Sequence, residues 1–521
     1  MLKNQGQVDE QDREQDSLKP LTGIWLLLAA LVVAGANFIA VLDMTIANVS
    51  VSTIAGNLGA TISQGTWVIT SYAVAEAITV PLTGWLASRF GAVRVFITSM
   101  IMFAVASLIC GIAPTFGILV AGRVLQGLFG GPLMPLSQSL LIQIFPKEKA
   151  AAANGIWGVT TLVAPILGPI LGGYICNEYV WGWIFLINVP IALAGAFIAI
   201  RLLRRYELPT VRNPIDKVGL LLLVIWVGSL QIFLDEGKDL DWFSSNLVIA
   251  LAITAVIGFF AFLIWEFYEE HPAVDVRIFR HRGFTIGVIT LSLGFAAMFA
   301  SNVLTPLWLQ NFMGYSSFES GKTTAWAGVL AVLAAPMVAV LASKKDPRRL
   351  VFIGLSWLGM IALWRSVATT DMDYATIAFP LLVMGIGLPL FFVPLSGIAL
   401  GAVDQHEVAS AAGLMSFIRT LSGAIGTSIV TTSWEDGAID NHAQLVGMVD
   451  ADQSVSRLME SSGMMADAAQ RSLDGLLQTQ SIMLSTNHLM LIIGIVYLIA
   501  ASVIGFAPKP ARAIDPAAAG H

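Results

Sequence analysis

The chain reads as long apolar runs punctuated by short polar segments. Counting runs of about 20 residues, the length that crosses roughly 30 Å of hydrocarbon, gives about fourteen. They fall at about 23–48, 66–87, 95–113, 117–142, 150–175, 184–203, 217–234, 246–266, 284–309, 324–342, 350–368, 375–400, 408–433 and 487–507. None has the period-2 alternation of a membrane β-strand, so each is expected to be a helix. The first run, from near Gly23, continues past the ~7–15 apolar residues of a signal-peptide core without an A-x-A-like exit, and is read as a retained span. Residues 435–486 break the rhythm, forming a loop far longer than the ~2–8 residues usual between packed helices. Its spaced apolar positions, Leu445, Val446, Met448, Val455, Leu458 and Met459, then Leu473, Leu476 and Leu477, suggest short amphipathic helices on the outer side.

Composition removes the soluble alternative. Of 521 residues 56% are hydrophobic and 12% charged, where a soluble protein carries roughly a quarter charged, so lipid must cover most of the surface. Mean hydropathy is +0.78. A net charge of −6 and the lack of long basic blocks leave no footprint for nucleic acid. Two cysteines, Cys110 and Cys176, exclude a disulfide-rich scaffold and thiolate metal sites, and a pairing between them near outer helix ends stays open. The sequence has no phosphate loop, HExxH or Gly-rich nucleotide signature, and His271, His281, His406 and His442 fall in loops, so neither a metal nor a cofactor is expected.

The bases orient the spans. With both ends on the cytoplasmic side, 21 of the 28 Lys and Arg fall on that side, four on the other and three, Arg123, Arg365 and Arg419, inside spans. A weak repeat, Ser88-Arg89-Phe90-Gly91-Ala92-Val93-Arg94 and Ser343-Lys344-Lys345-Asp346-Pro347-Arg348-Arg349, follows the second helix of each of two six-helix halves. The implied layout is a tail (1–22), a first bundle (23–205), linkers with interposed helices 7 and 8 (206–282), a second bundle (283–507) and a tail (508–521).

Leu42-Asp43-Met44-Thr45-Ile46-Ala47-Asn48-Val49, Gly65-Thr66-Trp67-Val68-Ile69-Thr70-Ser71-Tyr72, Arg123-Val124-Leu125-Gln126-Gly127, the run from Ala164 to Gly173 and Trp181 to Pro190 together resemble the fourteen-span drug:proton antiporters of the major facilitator superfamily. The likeness is greatest to EmrB-type multidrug export permeases and continues through Leu240 to Ser245 and Phe417 to Ser428. It implies an all-α polytopic membrane protein of major facilitator fold, two six-helix bundles plus two interposed helices, in a bacterial inner membrane. It also implies export of hydrophobic or amphipathic compounds driven by the proton gradient, with a periplasmic adaptor and an outer-membrane channel as partners; the rival is a facilitator for one metabolite. Three positions depart from the pattern. Ser88 replaces the usual acid of the loop after span two, so a carboxylate latch is expected to be absent; Ser52 replaces a proline; Leu341-Ala342 replaces a Gly-Arg.

Asp43 and Glu76 are the two acids placed in hydrocarbon, where a charge costs about 2.5–3.5 kcal/mol unless protonated, paired or hydrated. Both are candidates for proton coupling, against a bonded rim carboxylate for Asp43 and a permanently protonated hydrogen-bond donor, or a substrate selector, for Glu76. Arg123, with Gln126 at i+3, needs a carboxylate or backbone acceptors, and in the family the matching arginine is linked to proton transfer. Arg419 is read as its counterpart in the second half, without an acid in its own span, and Arg365 as an interfacial snorkeller. Pro165, Gly168, Pro169, Gly172 and Gly173 on span five suit a gate or seam, because proline bends the axis and glycine admits close approach. Asn37, Asn48, Gln126, Gln138, Asn154, Thr160, Thr161, Asn302 and Gln310, with Phe38, Trp157, Met298 and Trp308, are candidates for the substrate cavity or for cross-helix bonds.

Overall fold

The computed structural model describes residues 21–508 apart from 49, 61, 147–149, 208, 211–213, 215, 239, 405–406 and 449–464. Every regular element among them is helical. The helices are α1 (Gly23–Asn48), α2 (Val51–Asn57), α3 (Ile62–Gly65), α4 (Trp67–Thr79), α5 (Thr83–Phe90), α6 (Ala92–Gly111), α7 (Phe116–Gly130), α8 (Leu133–Ile144), α9 (Ala150–Glu178), α10 (Trp183–Leu186) and α11 (Asn188–Leu202). After these come α12 (Lys217–Glu236), α13 (Asn246–Tyr268), α14 (Arg282–Asn311), α15 (Ser317–Lys344), α16 (Pro347–Arg365), α17 (Tyr374–Leu400), α18 (Val408–Met448) and α19 (Ala466–Val503). Among the described residues eleven helices are long and apolar enough to cross a membrane, taking α7–α8 and α10–α11 as single passes, and the bent α9 makes a twelfth. The α4–α5 pair and α16 pack lengthwise among them, which is consistent with fourteen passes.

Glycine and proline decide where the passes break. The fourth pass divides at Gly130-Gly131-Pro132, so that α7 packs on α4 and α6 while α8 turns inward to α1, α9 and α18. In α9 the halves Ala152–Pro165 and Ile170–Cys176 bend by 41° around the Pro-Gly run. The first bundle is α1 to α11 and the second α14 to α19. They meet through α9 against α15 and α17, and through α18 against α5 and α8. The interposed α12 and α13 pack on each other, and α12 lies against α4 of one bundle and α18 of the other. There Trp226 meets Phe417 (ring centroids 5.7 Å), Ser428 donates to the Leu234 carbonyl at 3.1 Å, and Lys238 pairs with Glu435 at 2.6 Å.

At the end of the molecule carrying the Arg- and Lys-rich loops, the basic end, the bundles are in close contact. Gly84 of α5 abuts Ser410 of α18, and Gly158 of α9 abuts Phe392 of α17, which also stacks on Trp157 at 5.3 Å. At the opposite end the structure corrects the expected short helices. α18 and α19 are single helices of 41 and 38 residues, ~61 and ~57 Å at 1.5 Å per residue, about twice what a bilayer core needs. Their ends form an antiparallel hairpin in which Trp434 donates to Thr486 (2.9 Å), Asn441 to the Ser481 carbonyl (3.2 Å), and His442 meets Asp474 (3.4 Å). Helical bonding continues through the polar stretch because the two long helices brace one another there. Val455, Leu458 and Met459 lie outside the described residues.

Candidate functional site

A closed knot of polar side chains lies inside the first bundle. Asp43 on α1, fully buried, takes Nη1 of Arg123 on one carboxylate oxygen. Its other oxygen takes Nε2 of Gln126 (3.0 Å) and Nδ2 of Asn188 (2.6 Å). Arg123 also donates through Nε to the Val68 carbonyl (2.7 Å) and through Nη1 to Gln126 (3.0 Å), and its guanidinium lies over the Tyr72 ring at 4.3 Å. Gln126 donates onward to Ser107 (2.8 Å) and accepts from Cys110 (3.1 Å). Placing Arg123 and Gln126 at i and i+3 on α7 presents cation and amide together. Burial makes the pair obligatory, since either charge alone in this interior would be strongly penalised.

Asn188 escaped sequence reasoning because, as a lone amide inside an apolar run, it gave no signal beyond its place in the motif ending at Pro190. Cys110 is free and bonded to the knot, while Cys176, also free, bonds Ser50 at 3.2 Å, so the open pairing is not formed.

Glu76 on α4 is the opposite case. It is 1% exposed, and both carboxylate oxygens are buried with no hydrogen-bond partner among the described residues. Of the charges acting on it the largest is Arg419, from the other bundle, and the next is Arg123. Arg419 reaches across the junction from α18. Its guanidinium contacts the Met134 sulfur and lies over Trp157 (5.2 Å) and Phe295 (5.6 Å). In helix order Arg419 stands on the fifth pass of its half and Arg123 on the fourth of its own, so the two are not structural counterparts. Arg365 also departs from expectation: rather than snorkelling, it donates to Ser301 (3.2 Å) and Thr305 (2.6 Å) of α14.

The span-five motif, on α9, packs against α1. A Cβ on Gly168 would strike Thr45, whose hydroxyl is 3.4 Å from the Ala164 carbonyl. Gly172 is buried, while Pro165 and Gly173 are half-buried on α9; the backbone of Pro169 lies in the same helix. The cavity candidates disperse. Gln126 belongs to the knot. Asn37 donates to Thr160 (2.9 Å) and Thr161 (2.8 Å), binding α1 to α9. Trp157 sits at the junction and donates to Ser137 (2.9 Å), and Gln138 donates to Asn154 (3.3 Å). Phe38 packs half-buried on the core, Met298 is buried on α14, and Trp308 is buried in a cluster with Leu309, Ile377 and Met483. Asn302 is exposed and Gln310 half-buried.

Sequence reasoning also missed how the loop lacking an acid at Ser88 is served. Glu207, from beyond the sixth pass, accepts the backbone N–H of Val93 (3.1 Å) and Arg94 (2.9 Å), supplying a carboxylate to the start of α6. The expected absence of an acid here therefore holds for the motif but not for the folded loop. Between α17 and α18, Glu407 takes Arg280 (2.7 Å) and His281 (2.9 Å) of the linker before α14, with Asp404 beside them.

Two apposed six-helix bundles with a buried ion pair and an unpartnered acid at the junction define a polytopic secondary transporter rather than an enzyme. The chain belongs to the major facilitator superfamily, whose family profile matches residues 33–427, and within it to the EmrB-type proteins. It is 42% identical to "Multidrug export protein EmrB" of Escherichia coli (strain K12) over 94% of this chain and 97% of that one. It is 45% identical to "Fatty acid resistance protein FarB" of Neisseria gonorrhoeae over 80% and 82% respectively. Its fold is similar to that of the proton:xylose symporter XylE bound to 6-bromo-6-deoxy-D-glucose, with a TM-score of 0.58 at 12% identity over 93% and 96% of the two chains.

Proposed function

We propose that this chain exports hydrophobic or amphipathic drug-type compounds in exchange for protons across a bacterial inner membrane. The basic end and both termini face the cytoplasm, and the α18–α19 hairpin lies in the periplasm. The observation that carries the reading is Glu76, a buried carboxyl at the bundle junction with neither oxygen hydrogen-bonded. A carboxyl so placed is tolerated when protonated, paired or hydrated, and alternating access moves it among those states. With the cavity open outward Glu76 takes a proton; with it open inward, substrate entry displaces the proton to the cytoplasm. Asp43, held by Arg123, Gln126 and Asn188, is the second exchanging group, reached when Arg123 shifts. The bent α9, seated on α1 at Gly168 and facing α15 and α17 of the other bundle, provides the rocking contact. The family names of the relatives, multidrug export and fatty acid resistance, support the drug-type substrate class. Exposed Ile439, Val446, Met448 and Leu476 on the hairpin support docking of a periplasmic adaptor that leads to an outer-membrane channel.

The test is uptake of a fluorescent compound by everted vesicles acidified inside. Glu76→Gln, fixed as a mimic of the neutral acid, is expected to bind substrate and lose pH-driven transport, while Glu76→Asp keeps part of it and Asp43→Asn is impaired. Wild-type rates from a normally expressed Gln variant would remove Glu76 from the coupling mechanism.

A further inference from the structure

The interposed helices meet at their basic end through two acids. Asp216 is the N-cap of α12, and its Oδ1 accepts the backbone N–H groups of Val218 (3.1 Å) and Gly219 (2.8 Å). The indole N–H of Trp265 on α13 reaches both Asp216 oxygens, at 3.1 and 3.0 Å. One residue further along α13, Glu266 is fully buried. Its Oε2 accepts the Val274 N–H (3.3 Å), while its Oε1 is buried with no hydrogen-bond partner among the described residues. Gly219 lies between the two acids. A Cβ built there would stand 2.2 Å from Asp216 Oδ2 and 2.5 Å from Glu266 Oε1, so these two oxygens flank one methyl-sized gap beside the α12 backbone.

Two ionised carboxylates buried in such a place repel one another, and the repulsion is relieved when one of them takes a proton. The surroundings offer no other relief. Among the described residues no Lys or Arg pairs with either acid: Lys217 is exposed, and Arg277 directs its guanidinium to the Phe267 and Glu269 carbonyls. Asp275 of the following linker also acts on Glu266 and is itself an acid. Glu269 turns to the His271 N–H (3.4 Å), and the ion pair that ties the α12 side to α18, Lys238 with Glu435, lies at the opposite end of α12. A metal ion would call for further oxygens, whereas the groups that reach these two acids are N–H donors. Asp216, with donors on both oxygens, is the member suited to keep its charge. A proton on Glu266 Oε1 satisfies the one bare oxygen and removes the repulsion together.

We infer that Glu266 carries a proton on Oε1 and donates it to Asp216 Oδ2, a proton site apart from the transport junction that clasps the basic ends of α12 and α13. The bond is a charge-assisted O–H···O contact. When the proton passes to water at the basic end, two carboxylates are left face to face and the clasp opens. Because α12 lies against α4, which carries Glu76, and α18, which carries Arg419, the clasp makes the packing of the interposed pair respond to pH on that side.

Infrared spectra of the purified full chain in heavy water, wild type minus Glu266→Gln, test the proton directly. At neutral pH the difference is expected to hold the C=O stretch of one protonated carboxyl, bleached on alkaline titration. Hydrogen exchange gives a second readout that the wild type carries alone. The amides of 217–222 and 272–276 should be protected at neutral pH, and on alkaline titration should exchange faster than intrinsic base catalysis accounts for, by about a further tenfold per pH unit, the slope of one linked proton. Glu266→Gln, whose amide still donates to Asp216 and has no proton to lose, should follow the intrinsic rate alone. A difference spectrum without a protonated carboxyl at neutral pH would overturn the proposal. Wild-type exchange that follows only the intrinsic rate would do the same, by showing an acid that clasps nothing. So would a carboxylate band that shifts when metal ions are removed by dialysis, which would make the pair a cation site.

Discussion

The two six-helix halves handle buried charge in opposite ways. In the first, Asp43 and Arg123 neutralise each other and bond Gln126, Asn188 and the Val68 carbonyl, while Nη2 of Arg123 and Oδ1 of Asn188 are buried without a hydrogen-bond partner among the described residues. In the second, Arg419 and Arg365 are held by a thioether, aromatic faces and hydroxyls, and no carboxylate bonds either of them among the described residues. A closed ion pair within one bundle keeps its energy as the bundles move, so long as Arg123 holds its place. A cation on one bundle and an unpartnered acid on the other change theirs with every change at the junction, because their interaction is set by how the halves meet. The difference separates a pair that stays closed until Arg123 shifts from one that responds to every change at the junction, and on the proposed function it makes Glu76 and Arg419 the first to respond and Asp43 the second.

The largest expected effect tests that contrast directly. Asp43→Ala leaves Arg123 buried without an anion and should destabilise the purified protein by ~3–5 kcal/mol, read from unfolding in detergent. Arg419→Met removes a cation that has no hydrogen-bonded anion and should cost less than about 1.5 kcal/mol. Equal losses would break the comparison.

An intermediate test uses the other asymmetry, the hairpin that among the described residues belongs to the second half. Excising 440–478 and closing the gap with a short Gly/Ser loop should leave membrane insertion intact, while adaptor co-purification and drug resistance are lost. If both persisted, the hairpin would have no docking role.

The smallest effect sharpens the view of the repeated basic loops. The start of α6 is capped from a distance by Glu207, and the start of α16 by Asp346 at its own N-cap, which accepts from the Arg348 N–H at 3.1 Å. Glu207→Ala and Asp346→Ala should each cost ~1 kcal/mol in the same assay. The hydrogen bond from the Arg348 side chain holds Asp346 below the usual carboxylate range. Its contribution is therefore whole above the usual carboxylate range, shrinks as the pH falls through that range and is gone below the lowered value; an Asp346→Ala penalty that had vanished by mildly acidic pH would contradict the cap.

The sequence by itself determined that this is a membrane-spanning helical protein and roughly where its apolar helices lie, because hydrocarbon demands about 20 apolar residues wherever the chain crosses and a lone intramembrane acid stands out against them. It also marked Asp43, Glu76 and Arg123 as costly residues. Only the tertiary structure decided what each one faces. Asn188 meets Asp43 from 145 residues away, Glu207 reaches the loop that carries Ser88 from beyond the sixth pass, and Arg419 acts on Glu76 across two bundles. Likewise residues 435–448 and 466–486 look like a loop when read by hydropathy alone, and they are helix because two long helices pair beyond the membrane. Periodicity and cost act along the chain and can be read there, whereas the partner of a buried polar group is chosen by packing between segments distant in sequence, and no local pattern encodes it.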